Sequence, residues 1–135
     1  MKIFTSDYKK SVDVGTGSVW YSVFSTASVR LSADDQDFLQ YAMDFLRTGE
    51  CNADDAQITA RQMELVMKRF ARLLPADAVF DMAHPGKHAP WHNNLSEQVT
   101  SCANLYTTAD GKNLLIEVID LLKYAANNSV DANVT

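Results

Sequence analysis

Residues 12–31, VDVGTGSVWYSVFSTASVRL, decide the fold class because they carry the strand signals of the chain. Residues 15–17, Gly-Thr-Gly, form a turn-like sequence between a short extended stretch and a longer one. From 19 to 31 the residues follow a period of two, which is typical of a half-buried strand. We therefore predict an N-terminal β-hairpin with residues 19–24 as a strand. A helical start after Phe24 is the alternative for the later part, because residues 25–28 are small.

Four helical segments are predicted behind this hairpin. The first begins at Ser32, a favourable N-cap followed by acidic residues, and ends at Gly49. The second runs from about residue 54 to Pro75, a short third lies within 95–106, and the last spans about 110–126. Residues 78–80 are candidates for a short buried strand. The apolar positions of the longer helices are Phe38, Tyr41, Ala42, Phe45, Met63, Val66, Phe70, Leu73, Leu114, Leu115, Val118, Leu121, Leu122 and Ala125.

Strands first and helices after them indicate an α+β fold, in which an N-terminal antiparallel β element packs against about four helices. A length of 135 residues fits one domain. We predict a single domain over residues 1–128 and a flexible C-terminal tail at 129–135. No apolar run approaches the roughly 18–20 residues of a membrane span, and the first residues lack the apolar core of a signal peptide. We expect a cytoplasmic protein with two free thiols, Cys102 in the core and Cys51 in a loop.

The net charge of −5, from 12 basic and 17 acidic side chains, disfavours nucleic acids and anionic membranes as partners and favours a basic protein. Seven carboxylates and a single base, Arg47, lie between residues 34 and 55. Acidic residues are common at helix starts for local reasons, whereas a shared electronegative patch would steer a basic ligand. Both interpretations stay open. The predicted contact residues for a basic partner are Asp35, Asp37, Asp44, Glu50, Asp54 and Asp55.

Three histidines, His84, His88 and His92, are spaced four residues apart, as zinc ligands on one helical face would be. Two prolines and a glycine between them forbid a regular helix, so we interpret them as loop residues. No phosphate-binding loop, nucleophile motif or metal motif is recognisable. We therefore predict a protein that is not an enzyme and needs no metal or cofactor. The alternatives are a small cytoplasmic hydrolase built around this histidine loop and a self-assembling structural subunit.

Trp91 lies in the same loop, directly after Pro90. A loop tryptophan most often covers the hydrophobic core. The alternative is an exposed anchor for a partner, since tryptophan is enriched among the residues that dominate binding energy.

Several segments, taken in order, resemble the immunity protein 70 family. The first comprises residues 19–25 and 29–31, and the middle one is Pro75 followed by Val79-Phe80-Asp81. The most specific likeness lies in the last third of the chain, in Ala89-Pro90-Trp91, Leu95-Ser96, Val99-Thr100-Ser101, Ala103-Asn104-Leu105-Tyr106, Thr107-Thr108-Ala109-Asp110-Gly111 and Leu114. The likeness spans about residues 19–126.

This resemblance implies an antitoxin that binds and neutralises the C-terminal domain of a polymorphic toxin, as in contact-dependent growth inhibition between bacteria. The toxins of such systems are often nucleases, which are commonly basic because they hold phosphates. An acidic inhibitor that covers a basic cleft is then expected to associate fast and bind tightly. The resemblance assigns no contact residues, so the acidic residues named above remain a prediction from charge.

Overall fold

A three-stranded antiparallel sheet joins the two ends of the chain in the computed structural model, which describes residues 1–91 and 94–135. Its strands are β1 (Lys2–Thr5), β2 (Ser11–Asp13) and β3 (Ala132–Val134), in the order β2-β1-β3. Ile3 lies opposite Val12 on one side and Val134 on the other. The side chain of Ile3 is completely buried, as expected for the central strand of a sheet with one face on the core. Residues 132–134, predicted as part of a flexible tail, thus form a paired strand.

The predicted strand at 19–24 is wrong, because residues Gly17–Arg30 form helix α1. The hairpin of the N-terminal β element is formed instead by β1 and β2, earlier in the chain. Trp20, Val23 and Ala27 are spaced three and four residues apart and are all buried, so the helical period also fits this stretch. The alternation of apolar and polar residues is incomplete, because Trp20 and Phe24 occupy even-numbered positions that a half-exposed strand would give to polar side chains. Packing decided between two periods that the sequence allowed.

Helices α2 (Ala33–Phe38) and α3 (Gln40–Thr48) replace the single helix predicted after Ser32. The N-cap is confirmed, because the Asp35 N–H donates a hydrogen bond to Ser32 Oγ at 3.0 Å. Gly49 is confirmed as the stop and adopts a left-handed conformation with φ of 76°. The break falls at Leu39, whose side chain is buried at the junction. As a result Phe38, predicted to be apolar core, is 70% exposed.

Helices α4 (Ala56–Phe70) and α5 (Leu114–Asn128) form the main helical pair of the core. The predicted apolar positions of α4 within its bounds, and all those of α5, are buried. A 3₁₀ turn, Ala53–Asp55, leads into α4, and a second one, Pro75–Asp77, follows it. Helix α5 begins four residues later than predicted, because Asn113 is its N-cap and accepts a hydrogen bond from the Ile116 N–H. Among the described residues, the longest apolar helices fall short of what a membrane crossing requires.

Two predicted elements between α4 and α5 are also wrong. Residues 78–80 form no strand, because the amide and carbonyl of Val79 bond to the hydroxyl groups of α1 rather than to a neighbouring strand. Residues 95–106 form turns rather than a helix. There the Asn104 side chain accepts hydrogen bonds from the N–H groups of Thr100 and Ser101, a local arrangement that competes with helical bonding. Cys102 is buried in the core, as predicted.

Candidate functional site

The acidic stretch between residues 34 and 55 surrounds a cleft at the junction of α3 and α4. We call it the acidic cleft; its volume is about 260 Å³ and its lining residues are Tyr41, Asp44, Phe45, Glu50, Cys51, Asn52, Asp55 and Thr59. Three of the six predicted contact residues, Asp44, Glu50 and Asp55, therefore lie around one concavity. They come from a helix, a loop and a 3₁₀ turn, so the fold brings together charges that local sequence does not connect.

The loop between α3 and α4 holds Glu50 at the rim of this cleft. Gly49 turns the chain back after α3, and the Glu50 N–H donates a hydrogen bond to Thr48 Oγ1 at 3.1 Å. Cys51 then exchanges backbone hydrogen bonds of 3.0 and 2.8 Å with Ala132, immediately at the start of β3. The loop is thus fixed to the sheet, and the carboxylate of Glu50 stands on a constrained backbone.

The charge of the cleft is negative and only weakly compensated. Asp44 lies 3.6 Å from Arg47, but both side chains are 61% exposed, and an exposed pair of this kind contributes little. Glu50 and Asp55 form no ion pair with any described residue. Burial raises the pKa of the Cys51 thiol, and the neighbouring charges of Asp55 and Asp131 act in the same direction. The cleft therefore disfavours additional negative charge and favours a cation.

The other three predicted contact residues lie outside the cleft. Asp35 accepts a hydrogen bond from Arg69 Nε at 3.1 Å, with both side chains half-buried, and this pair connects α2 to α4. Its charge is already compensated within the fold. Asp37, at the end of α2, and Asp54, in the first 3₁₀ turn, are exposed to solvent. The acidic stretch is therefore divided between a structural ion pair, two exposed carboxylates and the cleft.

Tyr41 lines the acidic cleft and is one of three exposed apolar side chains on α2, α3 and α4 whose exposure sequence reasoning did not predict. Phe38, Tyr41 and Ile58 are among the exposed large apolar residues of the chain. The Gln62 side chain on α4 is bonded to the backbone around the α2–α3 junction: it donates to the Phe38 carbonyl at 3.3 Å and accepts from the Ala42 N–H at 3.0 Å. Ile58 lies one turn before Gln62 on the same side of α4. We call the acidic cleft together with Phe38, Tyr41 and Ile58 the α3–α4 face.

The histidine loop does not assemble a reactive centre from its described residues. His84 Nδ1 lies 3.1 Å from Asp81 Oδ2, and the imidazole is largely exposed. His88 instead lines a separate groove, and His92 lies outside the described residues. Within residues 1–91 and 94–135 no three metal-ligating side chains come together. Geometry at the described histidines therefore adds nothing in favour of the hydrolase alternative.

Trp91 packs against the core and covers Tyr106. Its indole meets Tyr106 edge to face with ring centroids 6.4 Å apart, and it meets Phe80 in the same way at 5.7 Å. The structure therefore favours the interpretation of Trp91 as a cover for the core. Beneath it, the Tyr106 hydroxyl lies 2.8 Å from Thr26 Oγ1 and 3.0 Å from Ser22 Oγ. Burial raises the pKa of Tyr106 to about 12, so this phenol stays protonated.

We expect Tyr106→Phe to lower the free energy of unfolding by about 1–3 kcal/mol, because it leaves the buried hydroxyls of Ser22 and Thr26 without a shared partner. Tyr41→Phe removes the same atom from an exposed ring, and we expect a change within about 0.5 kcal/mol. Urea unfolding followed by circular dichroism measures both values. Equal stability of the two variants would show that the buried hydroxyl network does not stabilise the fold.

The α3–α4 face combines a weakly compensated acidic cleft with exposed apolar side chains, features typical of a protein that binds another protein. Comparison with known families agrees. The model of the family described as immunity protein 70 matches residues 2–134, and the chain belongs to that family. Membership of this family implies an immunity protein directed against a toxin. No curated protein and no solved structure matches the chain.

Proposed function

We propose that this protein neutralises a cognate toxin domain by stoichiometric binding through the α3–α4 face. The toxin is the basic C-terminal nuclease domain of a contact-dependent growth inhibition system or another polymorphic toxin, and neutralisation takes place in the cytoplasm. The observation that carries the proposal is the acidic cleft, in which Asp44, Glu50 and Asp55 converge and, within residues 1–91 and 94–135, only the exposed Arg47 pairs with one of them.

Charge and apolar surface have separate roles in this binding. A nuclease holds phosphates in a cleft lined by lysine and arginine, so its active-site face is positive. The carboxylates of the acidic cleft attract that face over about 8–10 Å at physiological ionic strength and orient the encounter. Phe38, Tyr41 and Ile58 then supply apolar area that leaves water on contact, and such anchors contribute most to the strength of an interface.

The complex can be tested with the C-terminal domain of the protein encoded by the reading frame directly upstream of this gene, where we expect a large secreted toxin. Co-purification at a one-to-one ratio, loss of that domain's nuclease activity and survival of cells that co-express both proteins are the expected results. A toxin that stays fully active in the presence of excess purified protein contradicts the proposal.

Cys51 offers a probe of the same interface because its sulfur lies in the acidic cleft. In the free protein we expect slow alkylation of Cys51 at pH 8 and faster alkylation at higher pH, since its pKa is raised. Cys102 is fully buried and burial raises its pKa to about 11, so it serves as the unreactive control. Mass spectrometry after iodoacetamide treatment should show Cys51 protected in the toxin complex. Unchanged labelling of Cys51 would place the toxin elsewhere.

A further inference from the structure

A second concave surface lies between α1 and the segment that follows α4. We call it the cationic groove; its volume is about 340 Å³ and its lining residues are Ser22, Val29, Arg30, Pro75, Ala76, Ala78, Val79, Phe80, Pro85, Lys87, His88, Ala89, Trp91 and Leu95. Most of these side chains are apolar, and Val29 and Leu95 at its rim are among the exposed apolar residues. It shares no residue with the acidic cleft.

Two lining residues of this groove, Arg30 and Lys87, are positively charged, and none of its described lining residues is acidic. Arg30 donates a hydrogen bond from Nε to the Asp77 carbonyl at 2.8 Å, which fixes the guanidinium at the end of α1. Lys87 Nζ lies 5.6 Å from the centre of the Phe80 ring. Neither Arg30 nor Lys87 forms an ion pair within the described residues. The nearby carboxylate of Asp81 is engaged with His84.

We propose that the cationic groove binds a segment of the toxin in which an apolar side chain is accompanied by a carboxylate. This inference rests on the proposed function. A concavity of this volume, with apolar walls and a few fixed polar groups, has the dimensions of a pocket for a large side chain. Arg30 is oriented to pair with the carboxylate, and Lys87 adds a second positive charge at the same rim.

The charge of the groove, opposite to that of the whole chain, explains how an acidic inhibitor distinguishes its own toxin. A net charge of −5 attracts any basic nuclease, so the acidic cleft alone favours many partners. A toxin that places a cation against Arg30 and Lys87, however, is repelled by these two charges. The cation also loses its water there without gaining an opposite charge. The groove therefore selects against basic toxins that lack a carboxylate at this position.

The test compares two double charge reversals. Arg30→Glu/Lys87→Glu changes the groove, and Lys9→Glu/Lys10→Glu changes the exposed turn between β1 and β2. Each double variant replaces two positive charges with two negative ones, so both shift the net charge from −5 to −9 and attract a basic toxin equally from a distance. With the same upstream-encoded toxin domain, calorimetric titration should show the Kd raised about tenfold or more in the groove variant only. Because Arg30 also bonds to Asp77, the single variants Lys87→Glu and Lys9→Glu repeat the comparison without touching a structural hydrogen bond.

The outcomes separate this inference from the proposed function. Weaker binding confined to the groove variants supports the inference. Equal affinities of groove and control variants, with tight binding retained, overturn the groove and leave the proposed function standing. A toxin domain that does not bind the unmodified protein overturns both. A toxin-free dimer that Lys87→Glu dissociates would assign the groove to a second copy of this chain and also overturn the inference.

Discussion

Replacing Asp44 and Glu50 with lysine should lower the association rate constant for the toxin domain by about tenfold or more at low ionic strength. Both carboxylates line the acidic cleft, and in the described part of the chain only the exposed Arg47 pairs with either of them. The reversal removes the attraction that orients the two proteins before contact and replaces it with repulsion. The dependence of the rate on salt should flatten at the same time, because screening then has less attraction to weaken. Stopped-flow mixing at several salt concentrations measures both effects.

The matched control is Glu117→Lys with Asp120→Lys on α5, which changes the net charge by the same amount. A general attraction between an acidic protein and a basic one would make the two double variants equivalent. A role for the acidic cleft predicts a much larger effect for Asp44 and Glu50. Association rates that fall equally in both variants would show that the acidic cleft is not part of the interface. The attraction would then come from the overall charge of the protein.

Phe45→Ala should lower the free energy of unfolding by about 3–5 kcal/mol, because the ring is 1% exposed and its removal leaves a cavity in the core. The ring packs edge to face against Trp20 with centroids 5.4 Å apart, so that aromatic contact is lost as well. For a domain of this size the loss corresponds to a fall in Tm of roughly 10–15 °C. Differential scanning calorimetry measures the shift.

Phe38→Ala provides the control within the same predicted stripe. Its ring is 70% exposed, so we expect a change in stability within about 0.5 kcal/mol. Toxin binding, in contrast, should be weakened more by Phe38→Ala than by Phe45→Ala. We expect Phe38→Ala to lower the affinity by about 1–2 kcal/mol, since an exposed aromatic anchor is removed. Comparable destabilisation by the two variants would mean that Phe38 belongs to the core.

The fold class and the two caps at Ser32 and Gly49 were predictable from sequence, whereas the identity of the β element was not. Ser32 and Gly49 act through local chemistry, namely one hydrogen bond and one left-handed residue, so they are readable wherever they occur. The helix at residues 17–30 could not be predicted in the same way, because aromatic and small side chains occur there both at alternate positions and at helical spacing. The strands that do form are only three or four residues long, and β1 pairs with a strand more than a hundred residues away. Such pairing leaves little local signal.

Only part of the candidate site could be predicted from sequence, because the rest depends on contacts between residues that are distant in the chain. Composition identified a concentration of carboxylates, and three of them meet in the acidic cleft. Charge alone did not reveal that Asp35 is paired with Arg69, which lies 34 residues further along the chain. Nor did the pattern reveal the exposure of Phe38, which depends on the break at Leu39.

The pairing of β1 with β3 has a practical consequence for any engineered form of the protein. A reporter or affinity handle fused at either end sits beside the same sheet, and a short connection would pull on residues that hold Cys51 and the acidic cleft in place. Trimming the last residues would leave the central strand with an open edge ready to pair with another molecule. Long, flexible spacers are the appropriate choice at both ends.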